Sequence, residues 1–192
     1  MKIKYNAPTV LTFAFISALI LALSYTPLKG VIRLWFMVPG RGGFHSSSPR
    51  SWITLFTHVL GHADLNHLIF NFSFILLIGP ILEETYGSFT LLLMIAITSV
   101  ITGALNTLLF TTNLLGASGV VFMMILLASF TNIKKGEIPL TFILILVFYI
   151  GKEFINSFRA DSISEFAHIV GGFCGSLFGF FRTGQIEQEE QC

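Results

Sequence analysis

Residues 65–83 read LNHLIFNFSFILLIGPILE, running from Leu65 to Glu83 without a Lys, Arg or Asp. At about 1.5 Å per residue the stretch reaches roughly 28 Å, close to the roughly 30 Å of a bilayer's hydrocarbon core. A soluble helix of this length would carry a charged face, and this one carries none. It therefore reads as a membrane span. Working outward, five further apolar runs of similar character lie near 7–25, 89–110, 116–131, 138–156 and 164–181. Gly87-Ser88, Asn113, Lys134-Lys135-Gly136 and Asp161-Ser162 punctuate them.

Composition agrees with the runs. Of 192 residues, 54% are apolar and 11% charged, with a mean hydropathy of +0.81, whereas soluble domains carry about 25% charged residues. Backbone in lipid must satisfy its own hydrogen bonds, which leaves helices as the spanning element. The expected fold is a single all-α polytopic membrane domain over 1–192, with six spans and a polar tail at 182–192. Eleven Lys plus Arg against ten Asp plus Glu gives +1, which provides no basic field for nucleic acid. Two cysteines, Cys174 and Cys192, exclude a disulfide-stapled scaffold and a Cys-rich metal site.

Lys2 and Lys4 precede the first run, which ends in Ala22-Leu23-Ser24, a passable leader-cleavage pattern. We read it as the first span rather than a removed leader. Positive charge does not settle orientation. Lys2, Lys4, Lys134, Lys135 and Arg182 stand on one side, and Lys29, Arg33, Arg41, Arg50, Lys152 and Arg159 on the other. The connection 26–64 mixes Trp35, Phe36 and Trp52 with Arg33, Arg41 and Arg50, which suits a loop lying among headgroups.

Polar groups inside spans are costly and are functional candidates by default. Those singled out are His67 with Asn71, Ser118 within Gly116-Ala117-Ser118-Gly119, and His168 after Ala167. Spans two, four and six run in one direction, so all four residues are expected at similar depth near one membrane face. The fourth run, at sixteen residues and about 24 Å, is short for the core, which sinks Ser118 below the surface. Ala167, Gly171, Gly175 and Gly179 form a small-xxx-small stripe that lets another helix approach closely.

A serine hydroxyl becomes a good nucleophile when a neutral imidazole takes its proton. His67 and Asn71, one helical turn apart, would both donate to an oxyanion together with the Ser118 N–H. With Asp64, Asp161 and Glu165 only at the rims, a dyad without a carboxylate is expected. Taken singly, the Gly-Ala-Ser-Gly segment reads equally as a packing patch with a capping serine, and His168 as a packing hydrogen-bond donor. Their conjunction on one face favours catalysis. The rival reading is metal binding or transport by His58, His62 and His67. Against it, Val59 stands where a His-Glu-x-x-His protease carries its catalytic Glu. A catalytically dead binder of transmembrane helices should have lost Ser118 or His168.

His62-(x4)-His67-(x3)-Asn71, Gly116-Ala117-Ser118-Gly119 and Ala167-His168-Ile169-Val170-Gly171-(x3)-Gly175 together resemble the rhomboid intramembrane serine proteases, from about Pro8 to Phe181. The resemblance implies a six-transmembrane-helix rhomboid-like bundle that cuts other membrane proteins in or near their transmembrane segments. It implies Ser118 as nucleophile, His168 as base, and His67, Asn71, Gly116 and the Ser118 N–H around the oxyanion. No cofactor or metal is implied, and the partners are transmembrane substrates and the lipid bilayer. Such a bundle can act as a monomer. The resemblance places it in a bacterial inner membrane, with cytoplasmic termini and a site open to the periplasm. It also implies that Glu83 ties down the long first loop and that Phe122 stacks on His168 where relatives often carry Tyr. Ile53 and Thr54 stand where relatives carry a Trp-Arg pair, and the cytoplasmic domain that some relatives carry before the first span is expected to be absent.

Overall fold

The computed structural model describes residues 3–133, 140, 143, 144, 147 and 162–189. Among them the chain forms seven α-helices: α1 (Pro8–Ser24), α2 (Lys29–Trp35), α3 (Pro49–Thr57), α4 (Leu65–Tyr86), α5 (Ser88–Leu109), α6 (Ser118–Ile133) and α7 (Ser162–Glu189). A single 3-10 turn, His58–Leu60, follows α3. By length and composition α4 and α5 can each cross a membrane, while α1, Ser118–Ser129 and Ala167–Phe181 are shorter apolar helices. Five of the six expected spans thus correspond to helices. The fifth, 138–156, lies outside the described residues except for positions 140, 143, 144 and 147.

Two segments carry more helix than the six expected spans. The connection 26–64 contains α2 and α3. Pro49 starts α3 at its first position, where its missing N–H costs nothing. At the other end α7 continues through the polar residues to Glu189.

Helix ends follow local chemistry. Asp64 caps α4, its carboxylate accepting the His67 N–H at 2.9 Å. Gly87, at φ +83°, turns α4 directly into α5. Glu83 accepts from the N–H groups of Thr9 (2.8 Å) and Val10 (3.0 Å) at the start of α1. It therefore fastens the α1 N-terminus to the end of α4 instead of holding the first loop. Both backbone donors would otherwise be unsatisfied in the first turn.

The core runs through α1, α4, α5, α6 and α7, with Ile75, Leu82, Leu91, Val120, Met123 and Leu127 fully buried. Gly171 of α7 lies against the backbone of Gly119 on α6, and four residues on, Gly175 lies against Met123. Paired steps of four in the same sense make α6 and α7 parallel neighbours in close backbone contact. The long connection is stitched to the segment before α6. Val38 and Leu114 exchange both N–H···O bonds at 2.9 Å, and Gly40 N–H donates to Asn113 Oδ1 at 3.1 Å.

Candidate active site

Three helix N-termini meet at one end of the molecule. The His67 ring, in the first turn of α4, rests on Gly116 just before α6. A Cβ on Gly116 would lie 2.6 Å from His67 Cε1 and 2.7 Å from Nε2, and the backbone there has φ +122°. Only glycine fits both demands. The Gly116 N–H donates to the His58 carbonyl at 3.0 Å, which fixes the approach to Ser118. His67 Nδ1 accepts from the Ala63 N–H at 3.4 Å, so in the neutral ring the proton sits on Nε2, the nitrogen nearer Gly116.

Ser118 is half-buried as the first residue of α6, following the fully buried Ala117. Its position leaves it among the backbone N–H groups that lack an intrahelical acceptor, at the positive end of the helix dipole. His168 is buried near the start of α7, and its ring is stacked on Phe122, with centroids 4.5 Å apart and planes 13° from parallel. A Cβ on Gly119 would lie 3.3 Å from the Ala167 carbonyl oxygen. Ser118 and His168 are each one residue from that contact.

Asn71 is fully buried one turn after His67, and neither Oδ1 nor Nδ2 has a hydrogen-bond partner among the described residues. A buried primary amide left unpaired is rare in folded proteins.

His58 and His62, the further histidines of the rival metal-binding reading, are both buried. His58 Nδ1 lies 3.1 Å from the Leu55 carbonyl and its Nε2 lies 3.4 Å from Thr102 Oγ1. The His62 ring meets that of His67 edge to face at 5.1 Å. Burial pushes the His58 and His62 pKa values down to about 4, so both are neutral at pH 7. Among the described residues no three His, Cys, Asp or Glu are placed to hold one metal ion. Sequence reasoning missed the polar stripe on α5, where Thr98, Thr102 and Asn106 are buried beside Ser99. Its signal was present, as polar residues four apart in an otherwise apolar run.

The bundle thus brings a half-buried serine at the start of α6, an imidazole on the adjoining α7 and a buried, unpaired amide on α4 to one end of the molecule. The Rhomboid domain family model matches residues 49–185, more than half of the chain, and the chain belongs to the rhomboid family. It is also 29% identical over 127 residues to Rhomboid protease GlpG of Haemophilus influenzae, a match covering 65% of this chain and 66% of that protein, just under two thirds.

Proposed function

We propose that this chain is an intramembrane serine endopeptidase that hydrolyses peptide bonds in or near transmembrane segments of other membrane proteins. In this reading His168 takes the Ser118 hydroxyl proton as the oxygen attacks the scissile carbonyl. The resulting oxyanion receives hydrogen bonds from the Asn71 amide, from His67 Nε2–H and from the Ser118 N–H. His168 then passes its proton to the leaving amine, and water resolves the acyl-enzyme by the same steps in reverse. Phe122 limits the imidazole to rotations in the plane of the stack. Gly171 and Gly175 hold α7 against α6, and Gly116 gives the substrate backbone room to approach.

The observation that carries the reading is the buried, unpaired Asn71 beside His67, whose ring rests on the glycine leading into Ser118. Membership of the rhomboid family supports it. The same reading extends to a six-span bundle in a bacterial inner membrane, termini in the cytoplasm, site open to the periplasm, needing no metal and able to act as a monomer.

The test uses purified protein and a single-pass membrane substrate, comparing wild type with Ser118→Ala and His168→Ala, each with and without EDTA. Both variants should lose cleavage by at least about 10³-fold, and EDTA should leave wild type unaffected. Cleavage by S118A, or its abolition by EDTA, would refute the dyad. A substrate helix must also unwind to expose its peptide bond. Replacing Gly and Pro near the cut by Leu and Ala should therefore slow cleavage.

A further inference from the structure

A cavity of about 320 Å³ lies at the same end of the molecule as the candidate site, walled by the end of α1, by α2 and by the segments carrying His62 and Asn113. Lys29 and Arg33, four apart on one face of α2, stand on its wall with Ser24 and Tyr25. No Asp or Glu precedes Asp64 in the sequence, so Asp64, at its very end, is the one acidic residue in the long connection beside the four cations Lys29, Arg33, Arg41 and Arg50. Among the described residues no carboxylate lines the cavity. The other side of α2 carries Leu28, Val31 and Trp35, all exposed. A short helix with exposed apolar groups and a tryptophan on one side and cations on the other belongs at the headgroup level of a bilayer. Below it, α1 exposes Phe15, Ile16 and Leu19, a surface along which an acyl chain can lie.

We propose that this cavity binds the phosphate group of an anionic phospholipid, held between Lys29 and Arg33 with its acyl chains running down α1. Two cations offer the charge that a phosphodiester needs, and the guanidinium can take two phosphate oxygens at once. The enclosed volume admits a headgroup, while the apolar surfaces of α2 and α1 place that headgroup at bilayer depth, which free phosphate would not exploit. The position also bears on the candidate site, since His62 forms part of the cavity wall and its ring touches that of His67. The proposal concerns binding and does not depend on the proposed hydrolysis.

The experiment counts bound lipid by native mass spectrometry, using the purified full chain with phosphatidylglycerol titrated into phosphatidylcholine. Wild type and the control R41Q/R50Q should each retain one phosphatidylglycerol. K29Q/R33Q should bind it about thirty-fold more weakly, as expected for two cations near an anionic surface. The charge-preserving K29R/R33K should bind as wild type, which separates loss of charge from damage to α2. Equal binding by K29Q/R33Q and R41Q/R50Q would reduce the effect to general surface charge and overturn the site. Displacement of the lipid by millimolar inorganic phosphate would assign the cavity to the free anion. Displacement by an acidic juxtamembrane peptide at lower concentration would assign it to the substrate chain. Either result overturns the lipid assignment.

Discussion

Asn71 carries the sharpest conflict between folding and chemistry. A buried amide with no partner costs about 1–3 kcal/mol relative to a satisfied or apolar one. Asn71→Leu should therefore raise thermal stability by a similar amount. If the amide donates to the oxyanion, the same change should lower kcat by about 10²–10³. Parallel melting and cleavage measurements check both, and a variant that is less stable yet fully active would contradict the proposed role. His58 supplies a pH dependence of different origin. Its pKa stands at about 4 in the folded protein against an unfolded value of 6.5, so the unfolded chain takes up a proton first as pH falls. Stability is then fully present above about pH 6.5 and is lost toward pH 4. Between pH 7 and pH 5 the loss should be about 2 kcal/mol from this residue. His62, with a similar depression, adds a comparable amount, so H58Q should remove about half of the slope in a denaturation series.

At the scale of elements, the pairing of α6 with α7 separates two neighbouring glycines. A methyl on Gly171 would collide with the Gly119 carbonyl, which is backbone and has nowhere to go. Gly171→Ala should force the helices apart, cost about 1–3 kcal/mol and greatly reduce any activity that needs both helices. A methyl on Gly172 would meet only Leu126 side-chain atoms, at 3.6 Å. Gly172→Ala should be neutral or slightly stabilising, because alanine is the better helix former. Thermal midpoints of the two variants, one residue apart, decide the matter. This contact was legible in the sequence because close backbone approach needs small side chains every fourth residue, and Ala167, Gly171 and Gly175 display that spacing. The helices within 26–64 were not legible. Lys29–Trp35 has only seven residues, too few turns for a periodic pattern to outweigh the mixture of Trp, Arg and Gly around it.

Across the whole molecule, the end opposite the candidate site is closed by Glu83. Its partners are the Ser88 and Thr9 side chains and the main-chain N–H groups of Thr9 and Val10, more than seventy residues away. Main-chain donors leave no signal in a side-chain pattern, and the loop partner was what the family resemblance implied. The Phe122–His168 stack, by contrast, is the one that the family resemblance implied. Glu83→Ala should cost about 1–3 kcal/mol by orphaning two first-turn donors of α1. E83Q, keeping one acceptor oxygen, should fall between. Some sixteen residues of helix, about 24 Å, separate Glu83 from His67, so cleavage by the folded fraction should stay within about two-fold of wild type. A large loss of activity at unchanged stability would show that the two ends are coupled.

The glycine contact between α6 and α7 also bears on how such a molecule can change over time. Where two helices meet main chain on main chain, their spacing is set by the peptide group, which every protein shares, for as long as the few contact positions such as Gly171 and Gly175 stay glycine. Lipid-facing and interior side chains elsewhere can then be replaced freely without moving the two helices that carry Ser118 and His168. A relative may therefore agree at fewer than one position in three, as the aligned 29% does here, and still inherit the same distance between those helices.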